Sequence, residues 1–160
     1  NSIRGWFGGS LHNEMIDDKD IVVVTADLGY GLFDKIRIDF PKRFYNVGAS
    51  EQIAAGICVG FALEGKKPFF YSITTFLLYR CFETIRNYIN AESIPVKLVA
   101  SGRDKDYEVD GPSHWSEDAK YFLDGFENIK QYWPNEKKEI PGLVNELINN
   151  KKPSFVSLRR

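Results

Sequence analysis

The sequence predicts an α/β domain: three α/β/α layers around an open, mainly parallel sheet. Short β-branched runs without polar alternation, foremost Ile21-Val22-Val23-Val24-Thr25, suit strands covered on both faces. Segments of helical period separate these runs. Each is long enough to carry the chain back across a sheet, as a parallel connection requires.

Taken in order, residues 2–16 form an amphipathic helix, with Ile3, Phe7, Leu11 and Met15 four apart. Asp20 opens the strand 21–25, and 43–47 is a second short strand. Ser50 stands where a capping residue belongs, before a helix that runs to about Glu64, and Gly65 ends it. Residues 68–73 are a third strand and 75–91 one long helix. A fourth strand spans 95–101, and a loop rich in Gly, Asp and Pro covers 102–115. The pattern closes with a short helix over 116–123, a strand over 129–133, a helix over 140–149 and a strand over 155–158. Ligands of such sheets sit beyond the carboxyl ends of the strands.

The 160 residues suffice for one domain with a sizeable core. A hydrophobic fraction of 43% and a charged fraction of 27% are ordinary for a soluble globular protein, and the net charge of −1 argues against a nucleic-acid binder. No apolar run approaches the roughly 18 residues of a membrane span, and residues 1–13 lack the layout of a secretory signal. Cys58 and Cys81 sit in apolar helical patterns and read as buried thiols of a reducing cytoplasm rather than as a disulfide or metal pair.

One segment invites chemistry. In Asn46-Val47-Gly48-Ala49-Ser50-Glu51-Gln52 a strand gives way to a glycine turn and then to a helix that starts with glutamate. An acidic residue there complements the helix dipole. The following Ile53-Ala54-Ala55-Gly56-Ile57-Cys58-Val59-Gly60-Phe61-Ala62 is apolar nearly all round, which predicts a buried, closely packed helix. A carboxylate at its mouth is partly desolvated, and desolvation raises its pKa.

Residues 43–52, with Gly60-Phe61-Ala62-Leu63-Glu64-Gly65-Lys66-Lys67-Pro68-Phe69, resemble the pyrimidine-binding domain of transketolases and are similar to 1-deoxyxylulose-5-phosphate synthases. Thr25-Ala26-Asp27-Leu28-Gly29, Thr75-Phe76, residues 80–86 and Asp110-Gly111-Pro112-Ser113-His114 follow in the family's order, so the resemblance covers nearly the whole chain.

The resemblance implies thiamine diphosphate as cofactor. It implies that Glu51 is the acid that hydrogen-bonds the aminopyrimidine N1′ and so helps draw the proton from the thiazolium carbon, a task for a protonated carboxyl in a dry site. It places Phe76 against the aminopyrimidine, where the residues alone equally allow a core phenylalanine. Asp27 joins the cofactor set, against the alternative of a turn aspartate. Tyr79 matches a tyrosine of some relatives. Because the stretch from Pro68 to Arg80 is one residue longer than in most transketolases, either Tyr79 or Arg80 fits that place. Asp110 and His114 become contacts to the sugar donor, with His114 also catalytic; the other readings are a turn aspartate and a surface histidine. Trp115 stands where transketolases often have Gln, and 103–109 is more charged than in relatives. His12 receives no role.

The Gly-Asp-Gly…Asn motif that holds magnesium and diphosphate in relatives is missing, as is their third domain. Residues 1–160 therefore read as one pyrimidine-binding domain: a small subunit or a fragment. A second polypeptide is expected to supply the diphosphate- and Mg2+-binding half, in a homo- or hetero-oligomer acting on sugars or sugar phosphates in the cytoplasm. The reaction expected is two-carbon ketol transfer or a related carboligation. A 2-oxoacid decarboxylating subunit and a non-catalytic structural partner are the alternatives. A flavodoxin-like nucleotide binder is disfavoured, since Ala26-Asp27-Leu28-Gly29-Tyr30 is acidic where a phosphate loop would be.

Overall fold

The computed structural model describes residues 2–160; Asn1 lies outside them. A six-stranded, entirely parallel sheet runs in the order β2-β1-β3-β4-β6-β5. Its strands are β1 (Ile21–Thr25), β2 (Phe44–Asn46), β3 (Lys67–Ile73), β4 (Lys97–Ser101), β5 (Lys130–Tyr132) and β6 (Ser154–Leu158). The helices are α1 (Ile3–Asp17), α2 (Asp34–Asp39), α3 (Glu51–Leu63), α4 (Thr74–Tyr79), α5 (Phe82–Thr84), α6 (Ala119–Asp124) and α7 (Ile140–Asn149). The three layers and the parallel sheet agree with the sequence pattern.

Two cores flank the sheet. On one face Phe7, Leu11 and Met15 of α1 and Leu143, Val144 and Leu147 of α7 pack on Val23, Phe69, Val99 and Val156. On the other, Ala54, Ala55 and Cys58 of α3 join Leu77, Leu78, Ile85 and Leu123 over Val24, Phe70, Leu98 and Phe155. Residues of one strand alternate between the two, as the pleat dictates.

Four expectations need correction. The single helix over 75–91 is broken: α4 ends at Tyr79, and after α5 the backbone widens into a π-helix over Ile85–Asn90. Cys81, Ile85 and Ile89 are all buried and recur every fourth residue. In a straight α-helix that spacing drifts about 40° per step. Bonds reaching five residues back, such as Ala91 N–H to the Arg86 carbonyl, keep the three on one face. Ser50 does precede α3, but its side chain makes no capping bond. Helix α3 is not buried all round: Ile53 is 59% and Leu63 70% exposed, and Gly56 and Gly60 have open space above them. Finally, α2 was not expected, because six residues that bury only Ile36 are too short to show a period.

His12 is buried and holds Asp39 at 2.7 Å, clasping α1 to the end of α2. Cys58 and Cys81 are free and buried, as expected. Burial pushes the Cys58 thiol far above its ordinary range, and burial and the adjacent Glu51 charge push Cys81 up to about 12.

Lys97 begins β4 in the interior, its Nζ donating to the carbonyls of Asn150, at 2.6 Å, and Lys152. Burial, then the positive charge of Lys67, lowers its pKa to about 8. A neutral amine still has N–H bonds for both carbonyls. With the folded pKa below the unfolded value, the folded state is penalised at neutral pH, and the penalty fades as pH rises through about 8 toward 10.5. Between pH 7 and 10 the parent should therefore become more stable relative to Lys97→Met, by about 2–3 kcal/mol in urea titrations. A difference independent of pH would refute the assignment.

Candidate cofactor site

The chain runs from β1 to the edge strand β2 and returns on the other side of β1 as β3, so the strand order reverses between β1 and β3. A crevice opens at such a reversal, beyond the carboxyl ends of the strands.

Glu51 reaches it from the β2–α3 turn. The Asn46 side-chain oxygen accepts the N–H groups of Asp27 (2.9 Å) and Gly48 (3.1 Å), tying the ends of β1 and β2 together. Gly48, at φ 75°, reverses the chain in a conformation that favours glycine. Glu51 follows as the first residue of α3 and is 4% exposed. Its Oε1 accepts from Arg80 Nη1 at 3.0 Å, and Arg80 is half exposed.

Phe76 arrives from the other side. Strand β3 runs into α4 without a loop, and two adjacent hydroxyls fix the junction. Thr74 donates to the carbonyls of Ser101 (3.1 Å) and Gly102, and Thr75 to that of Ser113 (2.7 Å). The Arg80 guanidinium carbon lies 3.8 Å from the Phe76 ring centroid. The His114 ring stands edge-on to Phe76 at 4.9 Å, and its Nδ1 is 2.9 Å from Ser113 Oγ. His114 also packs near Tyr107 at 5.8 Å, and Tyr107 OH meets Ser101 Oγ at 2.7 Å and Arg4 Nη1 at 3.3 Å. Glu51, Arg80, Phe76, His114, Tyr107 and Arg4 thus form one continuous chain of contacts over the carboxyl edge of the sheet. At its far end a cleft of about 370 Å³ is lined by Arg4, Leu28, Tyr30, Tyr71 and Tyr107, and Arg4 Nε is buried there without a partner.

The sequence-predicted residues divide. Glu51, Phe76 and His114 come together. Asp27 sits in a turn: it adopts φ 56°, its N–H bonds Asn46, and its carboxylate accepts from Tyr30 OH. Tyr79 turns to α6, donating to Asp118 and packing on Phe122, and burial and then that bond raise its pKa. Arg80, not Tyr79, faces Glu51. Asp110 is exposed in the 3-10 turn Glu108–Asp110, and Gly111 beyond it has φ 81°. Trp115 is tied to the Glu108 carbonyl under Lys105, leaving His114 facing Phe76. Arg4 and Tyr107 carried no motif and were missed. Among the described residues, no group of three His, Cys, Asp or Glu is placed to hold a metal ion.

The chain is thus a doubly wound α/β domain with a buried acid and an aromatic face in its switch-point crevice. The family model described as transketolase, pyrimidine binding domain matches residues 2–160, and the chain belongs to that family. It is 32% identical over 162 residues to a 1-deoxy-D-xylulose-5-phosphate synthase of Clostridium kluyveri, covering 100% of this chain and 26% of that protein. It is 29% identical to a Methanocaldococcus jannaschii protein named as a transketolase C-terminal section, covering 89% and 45%. A solved structure described as a split gene transketolase, inactive beta4 tetramer, superposes with a TM-score of 0.87 at 26% identity, covering 99% and 51%. The chain thus spans between about a quarter and a half of the length of these relatives.

Gly102 tests how the loop is held. It has φ 86°, and a Cβ there would lie 2.3 Å from the Tyr107 ring. Gly102→Ala should displace Tyr107 and cost about 1–3 kcal/mol by urea denaturation. A loss under about 0.5 kcal/mol would show that the ring is not locked.

Proposed function

We propose that this chain is the pyrimidine-binding subunit of a thiamine-diphosphate-dependent transferase, moving two-carbon ketol units between sugars or catalysing a related carboligation. The observation that carries the reading is a buried carboxylate and an aromatic face that converge on one half-exposed planar cation, Arg80. A flat, nitrogen-rich ring that stacks on Phe76 and hydrogen-bonds Glu51 suits this pair, so the residues fit the cofactor's aminopyrimidine. When bound, the cofactor supplies the electron sink for making and breaking carbon–carbon bonds beside a carbonyl.

The chain's own residues then take distinct roles. Glu51 holds a proton toward the pyrimidine nitrogen, and Phe76 covers the ring. His114, fixed by Phe76 and Ser113, offers an N–H to a donor carbonyl or developing alkoxide. Asp110, on the same loop, accepts from a sugar hydroxyl. Arg4, which lines the cleft, offers a cation to the far, phosphorylated end of a sugar phosphate. Diphosphate and Mg2+ are assigned to a partner subunit. The exposed face of α3, with Ile53, Gly56, Gly60 and Leu63, supports a partner: large side chains give apolar area, and glycines let another backbone approach.

In the assembled enzyme, Glu51→Gln should lower turnover by about 10²–10⁴-fold while leaving thermal unfolding of the chain unchanged. Near-parent turnover would sink the assignment. His114→Ala should lower kcat and kcat/KM for the donor together while leaving cofactor affinity nearly intact. Parent-like donor kinetics would demote His114 to a packing residue.

A further inference from the structure

Arg80 stands on both groups that the proposed reading gives to the cofactor ring. Its guanidinium lies over Phe76, with its central carbon 3.8 Å from the ring centroid, and its Nη1 donates to Glu51 Oε1 at 3.0 Å. Among the described residues, Glu51 is the only carboxylate it pairs with. A guanidinium and a 4-aminopyrimidine share the recognition features in play here: both are planar, delocalised N–C–N systems that stack on an aromatic face and share one proton with a carboxyl group, the guanidinium as donor to the carboxylate and the ring nitrogen as acceptor from the protonated acid. Two planar groups cannot occupy one face of one ring and one carboxylate oxygen at once.

We propose that Arg80 is a built-in stand-in for the aminopyrimidine, filling its seat in the free chain and leaving when the ring arrives. The inference rests on the reading of Glu51 and Phe76 above. The stand-in spares the fold an uncompensated carboxylate, since a buried charge without a partner is strongly destabilising. Its exit is open, because half of the Arg80 side chain already faces solvent. Arg80 is here a positioning residue: it sets whether the seat is available and takes no part in bond making. Ring affinity is then reduced by the fraction of time the seat is filled.

The test uses 4-amino-2-methylpyrimidine as probe and nuclear magnetic resonance on the chain with labelled phenylalanine rings and glutamate carboxyls. Four proteins are compared: the parent, Arg80→Ala, Arg80→Met, which keeps the stem, and Glu51→Gln. The expected result is that both Arg80 variants, less stable than the parent but shown to be folded at the temperature of the measurement, bind the probe about tenfold tighter than the parent, with the Phe76 signals shifting on binding. The Glu51 carboxyl signal should also move in the Arg80 variants before any probe is added. If the parent binds the probe through Glu51 but neither Arg80 variant binds it tighter, the stand-in is overturned while the reading of the acid survives. If no protein shifts Phe76 on adding probe, both fall.

Discussion

Parallel pairing of β3 between β1 and β4 is the constraint on which the rest of the molecule depends. Its seven residues face both cores, Phe69 and Tyr71 toward α1 and α7, Phe70 toward α3. Because it lies beside β1 rather than beyond β2, the connections diverge at its carboxyl end and leave a crevice there. Because it passes into α4 without a loop, Phe76 is set by the sheet itself. The hydroxyls of Thr74 and Thr75 extend that rigidity to the Gly102 and Ser113 carbonyls of the 102–115 loop. A site built this way inherits its precision from a buried central strand.

The electrostatics follow from the same placement. Glu51 sits where the dry layer beneath α3 meets the rim, so its surroundings are apolar below and cationic above. Arg103 solves a different problem. It is buried beyond β4, and its nitrogens are satisfied by Ser157, Asn135 and the Pro134 carbonyl, locking the β4 and β5 loops to the end of β6. One arginine is free on its outer side and one is fully bonded; only the first has freedom to move.

Legibility in the sequence divided along physical lines. Strands covered on both faces leave continuous β-branched or aromatic runs, so β1, β3, β4 and β6 were visible to within about two residues. Glu51, Phe76 and His114 were named through resemblance to a family, on the stretches Asn46–Gln52, Thr75-Phe76 and Asp110–His114; from the residues alone Phe76 and His114 read equally as packing and surface side chains. Arg4 and Tyr107 were not, because they meet across 103 positions and neither stands in a patterned segment. The choice between Tyr79 and Arg80 depends on where α4 ends; Tyr79 is its last residue and Arg80 follows it, a boundary that composition does not mark. The exposed face of α3 was hidden for the opposite reason: glycine and isoleucine read the same whether they meet a neighbour or water.

That face sets a limit on how the molecule is handled, in a cell or in a tube. Ile53 and Leu63 project beside glycines that shield nothing, on a helix whose other side is the main core, so the patch cannot be hidden by local rearrangement without opening that core. Its tendency to stick therefore scales with the free concentration of folded chain rather than with the unfolded fraction. Raising stability would not cure it. On the proposed reading, in which a partner subunit covers α3, matching the supply of the two chains would, which makes dosage, more than folding, the quantity to control.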